Sequence, residues 1–238
     1  MVKVLTLLLA LFLTGSFAVA DSNAQMPTFK AGMQMPKNFR MAPKNKAENL
    51  QEGEHRDYCP KCGMTLHMFY RTNHAATVNG KVKQYCSLYC LIDDINSGAK
   101  VSHIKVVDNT TLKFISAKGA WYVVGSKKPA TMSQTSHYAF GTKEAAEQFA
   151  KKFGGKVMDF ESTLAKAKAD YKNDTSKKKM RQAKAAKIGE KIYKSKCQVI
   201  DKKFTTAAEA KAYIVKNNSC KGLKGKPLQM VALYLISK

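Results

Sequence analysis

Acidic residues are scarce. The chain has 17 Asp and Glu against 41 Lys and Arg, a formal charge of +24 over 238 residues. An imbalance of this size selects anionic partners: nucleic acid, an anionic membrane surface or an acidic protein. Histidine is also sparse, with five in the chain and none after His137, so the C-terminal hundred residues offer no imidazole ligand. No cysteine precedes Cys59, which leaves no cysteine near the N-terminus for a lipid anchor. Paired carboxylates, a nucleophile elbow and a phosphate-cradling glycine loop are all missing, so the expectation is a binding protein and not an enzyme. Beyond the first twenty residues no apolar run approaches the length of a membrane span.

What is present begins with an export signal. Lys3 supplies a positive start, Val4 to Leu13 an apolar stretch, and Ala18-Val19-Ala20 a small-residue cleavage site. Cleavage after Ala20 would leave a soluble exported protein in a compartment where disulfides persist. Export also argues against nucleic acid as the partner. The densest basic run, "SKKKMRQAKAAK" from Ser176 to Lys187, reads as a solvated helix or linker.

Five segments follow from the patterning. Residues 1–20 are the signal peptide. Residues 21–54 lack apolar periodicity and carry Met26, Met33, Met35 and Met41, which reads as a flexible arm whose thioethers suit Cu(I) capture. Residues 55–165 are mixed α+β: "KVKQYC", "HIKVVD", "LKFIS", "AWYVVG" and "KVMDF" read as strands of an antiparallel sheet. "GTKEAAEQFAKKFGG" reads as a helix capped by Thr142 and ended by Gly154-Gly155. Residues 166–182 form the basic helix or linker. Residues 183–238 predict three short helices, with Thr206 and Glu209 at capping-box spacing and Pro227 in a first turn. Cys197 and Cys220 are the only cysteines of that last unit and are expected to pair.

The other four cysteines are Cys59, Cys62, Cys86 and Cys90. Two residues between Cys59 and Cys62 let one knuckle present both sulfurs to one ion. Cys86 and Cys90 stand at i and i+4, one helical turn apart. This spacing permits a closed four-thiolate Zn(II) site. Met64 favours a softer ion, because a thioether is a good Cu(I) ligand and a poor zinc ligand. Two disulfides without metal satisfy the spacing equally. A thiol oxidoreductase is disfavoured, since the C-x-x-C does not follow a strand and open a helix, and Gly63 comes next. His67 and His74 are further candidate ligands, although a lone histidine is more often an ordinary packed or surface residue.

"CPKCGM" followed by "HAATVNGKVKQYCSLYC" resembles the heavy-metal-trafficking cysteine motif of TRASH and YHS-type domains. The longer succession "CGM", "KVVD", "AWYVVGS", "ATMSQTSHYAFGTKEAAEQFAKKFGGKVMDF" is similar to the NosL family of nitrous-oxide-reductase accessory proteins. That resemblance implies a periplasmic Cu(I) chaperone with a small ferredoxin-like fold, serving a copper enzyme such as nitrous oxide reductase. It implies a sulfur-rich shell of Cys62, Met64 and Met132. Cys59, Cys86 and Cys90 exceed this shell, as additional ligands or as disulfide partners. A TRASH-like structural Zn(II) module is the alternative. "GEKIYKSKC" and "LQMVALYL" resemble the first and last helices of class I cytochromes c. The haem-attachment motif is missing, because Gln-Val-Ile-Asp follows Cys197, so a haemless derivative is implied and no haem is expected.

Overall fold

The computed structural model describes residues 38–238. The signal segment and Met26, Met33 and Met35 lie outside them. Two similar units make up the first half. In the first, β1 (His74–Val78) and β2 (Lys81–Tyr85) form a hairpin, α1 (Leu88–Asn96) follows, and β3 (Val101–Val107) returns to pair with β1 on its other side. In the second, β5 (Trp121–Val124), β6 (His137–Phe140), α2 (Lys143–Phe153) and β7 (Lys156–Met158) repeat that succession, with β5 in the middle. The strand β4 (Phe114–Ser116) extends the first sheet beside β3. The result is two antiparallel sheets, ordered β2-β1-β3-β4 and β6-β5-β7.

The α+β class therefore holds, while the strands form two sheets and not one ferredoxin-like sheet. The physical reason is local. Each helix is capped two residues beyond a hairpin, by Ser87 Oγ on the Cys90 amide and by Thr142 Oγ1 on the Ala145 amide. Each returning strand then takes the nearest open edge, that of its own unit's first strand.

Residues 38–54 are packed, which corrects the expectation of a flexible arm for that part. Phe39 sits edge-on to Tyr138 at 5.5 Å and also packs on Phe149 and Phe153. Ala42 and Gln51 are buried, and Gln51 exchanges hydrogen bonds with the backbone of Arg56, Tyr58 and Gln84. Period counting cannot see these anchors because they are single side chains in an irregular segment.

A single helix, α3, runs from Phe160 to Lys196, 37 residues and about 55 Å at helical rise. Residues 166–182 are its middle, so the expected stretch is helix throughout and no linker interrupts it. Its first half buries Phe160, Thr163 and Ala167 against the cysteine-containing core. Its second half carries Gly189, Ile192 and Tyr193 to the C-terminal core. That core is completed by α4 (Ala207–Lys216) and α5 (Gly225–Leu235). The Cys197–Cys220 disulfide joins the end of α3 to the turn after α4, as the sequence predicts. Thr206 caps α4 by accepting from the Glu209 amide, whereas the Glu209 carboxylate turns to the amide and hydroxyl of Thr205. None of the described helices is long and apolar enough to cross a membrane.

Candidate metal centre

Cys59 and Cys62 flank the tight turn Cys59–Met64. The Gly63 amide donates to the Cys59 carbonyl at 2.8 Å, and the Cys59 amide donates to the Met64 carbonyl at 2.8 Å. Gly63 stands at φ +71°, a conformation that glycine adopts without a Cβ penalty. Cys86 ends the hairpin, and Cys90 lies in the first turn of α1. Cys86 precedes the Ser87 cap, so the two thiols do not share a helical turn as their spacing suggests. The extended backbone at the cap nevertheless brings Cys86 to the same point.

All four thiols are buried and their sulfurs lie within 4.8 Å of one another. Cys86 Sγ is 3.4 Å from Cys62 Sγ and 3.7 Å from Cys90 Sγ. Metal–sulfur bonds of about 2.3 Å in a tetrahedron set sulfur–sulfur edges of about 3.8 Å, so the donor set fits a four-coordinate soft ion. Neither His67 nor His74 belongs to the group. His74 is instead a core residue: its Nδ1 is 3.1 Å from the Thr72 carbonyl and its Nε2 3.2 Å from the Tyr122 hydroxyl, and burial lowers it to about 3.

Electrostatics inside the cluster are uneven. Burial alone would push the Cys59 thiol up, but thiol hydrogen bonds from Cys62, Cys86 and Cys90 outweigh it and hold Cys59 well below the ordinary range. Burial and that neighbouring charge push Cys86 well up. Cys90 is also raised, first by the hydrogen bonding to Cys59 and then by burial. A metal ion is what would let further thiols ionise.

Supporting contacts hold the four sulfurs in place. On α1, Asp94 accepts from the Tyr85 hydroxyl at 2.7 Å and pairs with Lys83 at 3.0 Å and with Lys61 of the knuckle at 3.4 Å. Thr72 Oγ1 donates to the Cys86 carbonyl at 2.8 Å and is 2.9 Å from Thr131 Oγ1. Thr131 brings the Met132 loop to this side of the core. That loop is fixed from α3 by Asp174, which accepts from the Gln134 amide, and by Arg181, which donates to the Met132 carbonyl. Met64 and Met132 are both half-buried and pack against the core that contains the thiols. The second unit has Gly141 and Ala145 where the first has Cys86 and Cys90, relative to the helix caps. The second unit thus has no counterpart of the Cys86–Cys90 pair.

Sequence reasoning missed two residues that reach the knuckle from the C-terminal helices. Lys211 Nζ donates to the Gly63 carbonyl at 2.8 Å, Thr65 Oγ1 at 3.0 Å and Gln229 Oε1 at 3.1 Å, and stands 4.2 Å from the Tyr58 ring centre. Gln229 Nε2 donates to the Cys62 carbonyl at 2.8 Å. Lys211 is only 1% exposed. Its spacing from Ala207 and Ile214 placed it on the buried stripe of α4, but one lysine among so many draws no notice.

Fold and site together define an α+β protein with a buried four-thiol cluster that could hold a metal ion. Residues 51–167 match the NosL family model. A 97-residue stretch is 31% identical to the HTH-type transcriptional repressor CutR of Bacillus subtilis (strain 168), covering 40% of this chain and 51% of the repressor. The chain thus spans about half the length of that curated relative. The crystal structure of the copper chaperone NosL from Shewanella denitrificans aligns at 24% identity and TM-score 0.36, covering 51% of this chain and 94% of that one.

Proposed function

We propose that this protein is an exported Cu(I)-binding chaperone that supplies copper to a copper enzyme, nitrous oxide reductase by family resemblance. The observation that carries this reading is the buried cluster of Cys59, Cys62, Cys86 and Cys90 inside the region that matches the NosL family model. Four sulfurs with no carboxylate or imidazole among them suit Cu(I) and exclude hard cations. Met64 and Met132, half-buried where the thiols are buried, supply soft donors on the side from which an ion would enter or leave by ligand exchange. The protein binds and passes on its metal and performs no catalysis. The test is a Met64→Leu, Met132→Leu double variant, which keeps apolar bulk and removes both thioethers. Cu(I) affinity against a competing chelator should fall. Affinity equal to the parent's would remove the two methionines from the site.

A second reading is a structural Zn(II) module without metal transfer. The full burial of all four thiols favours it, since closed tetrathiolate sites are typical of structural zinc. The C-terminal helices, with their cytochrome c-like pattern and no haem-attachment motif, serve here as a docking and capping unit.

A further inference from the structure

Lys211 is a buried cation without a buried anion. No carboxylate lies within 4.0 Å of it among the described residues. Its three hydrogen-bond acceptors, Gly63 O, Thr65 Oγ1 and Gln229 Oε1, are all neutral. Placing an ammonium group in such a site is costly unless an opposite charge lies near. The thiol cluster can supply one, because Lys211 donates a hydrogen bond to the carbonyl of Gly63, the residue that follows Cys62.

The metal centre has the complementary problem. Four thiolates around Cu(I) carry a net charge of −3, and around Zn(II) −2. The cluster is buried, and the cations around Asp94 are already paired with a carboxylate. Lys211 is a cation that faces the knuckle with its charge uncompensated. It arrives from α4, outside the NosL-like region, and Gln229 of α5 joins it on the same peptide segment. Gly63 lets the two units meet, since a Cβ at that position would stand 2.7 Å from the Ala207 Cβ.

We propose that the C-terminal helical unit is a cap on the metal centre, and that Lys211 is the positioning residue that balances the charge of the metal–thiolate group and so sets how tightly the metal is retained. This rests on metal binding by the four cysteines. By linkage, a docked cap tightens metal binding, and a loaded centre tightens docking of the cap.

The experiment uses the full chain, reduced at the four cluster cysteines, with Cu(I) or Zn(II) competed against a chelator. Lys211→Met should weaken metal binding by about 10- to 100-fold, the range for outer-shell partners of a metal site. Lys211→Arg, which keeps the charge, should restore most of that affinity. Gln229→Leu removes a neutral hydrogen bond to the same knuckle and should cost clearly less than Lys211→Met. The Co(II)-loaded Lys211→Met variant should retain the parent's absorption bands, because the ligands are unchanged. Affinity of Lys211→Met equal to the parent's, or a loss in Gln229→Leu as large as in Lys211→Met, would overturn the charge assignment. Should Lys211→Met fail to fold, amide exchange on the parent decides: exchange in α4 and α5 should slow on metal loading, and no change there would overturn the proposal. A parent chain that binds neither ion would overturn the metal reading itself, before any variant is compared.

Discussion

Gly63 and Ala207 are packed so closely that no room is left between them for a methyl group on Gly63. A Cβ on Gly63 would stand 2.7 Å from the Ala207 Cβ and 3.0 Å from the Ala207 carbonyl carbon, and the backbone there sits at φ +71°. Both effects oppose any side chain. Gly63→Ala is therefore expected to cost roughly 2 kcal/mol and to loosen the contact between knuckle and α4. Chemical denaturation gives the first quantity, and amide exchange in α4 the second. A variant with parental stability and parental exchange would show that the contact is not tight.

The disulfide ties a different core from the one that holds the thiol cluster. Cys197 and Cys220 are 23 residues apart and are themselves the partners of a short antiparallel bridge, with the Gln198 amide donating to the Ser219 carbonyl at 2.8 Å. Closing a loop of this length is worth about 3 kcal/mol in the loop-entropy model. Cys220→Ser should lower the stability of the α4–α5 unit by about that amount, read by exchange protection in α5. Unchanged protection would mean that helix packing alone holds the unit.

Phe39 tests the packed part of the N-terminal segment. Its ring lies against Tyr138, Phe149 and Phe153, with Lys128 Nζ 4.3 Å from its centre. Phe39→Ala should destabilise the second unit by about 2 kcal/mol, less than a fully buried phenylalanine because the ring is half-exposed. A thermal midpoint within a degree of the parent's would restore the flexible-arm expectation for these residues.

Much of this was legible in advance, and the misses have physical causes. Helix α2 carries its own punctuation in Thr142, the Ala146–Phe149 stripe and Gly154, and it forms over the expected residues. The strand β1 is not among the strands expected from the pattern, because His-Ala-Ala-Thr-Val has no aromatic residue and only Thr77 and Val78 are β-branched, although Asn79 and Gly80, both at positive φ, form the turn of a tight hairpin after it. Helix α3 looked like a helix followed by a linker because Lys-rich residues give no apolar stripe. It persists because opposite ends of the same face pack on two separate cores. The spacing of the four cysteines permits one shared site but equally two disulfides, and it is the fold that brings all four sulfurs within 4.8 Å of one another. The cap over them was not legible, because Lys211 and Gln229 reach the knuckle across 148 and 167 residues of sequence.

Two buried imidazoles predict acid sensitivity. Burial lowers His74 from 6.5 to about 3 and His137 from 6.5 to about 4. Folded values below unfolded ones mean that the unfolded chain binds more protons as pH falls through 6.5, so stability is full above that pH and declines below it. At about 1.4 kcal/mol per pH unit, each imidazole removes about 2 kcal/mol by pH 5. His137 Nε2 has no hydrogen-bond partner among the described residues, so His137→Leu should lose roughly half of this acid dependence while remaining stable at pH 7. Urea midpoints measured from pH 7 to pH 5 give both slopes, and identical slopes in parent and variant would contradict the assignment.

The central claim is that Cys59, Cys62, Cys86 and Cys90 hold Cu(I) in preference to Zn(II). Its most direct test is sulfur-edge and metal-edge X-ray absorption on the reduced full chain after equilibration with both ions. The account predicts a copper centre ligated by sulfur alone, with zinc left in solution, and loss of that centre in Cys62→Ser. A zinc centre with four sulfurs that copper fails to displace would contradict it and leave the structural-zinc reading in its place.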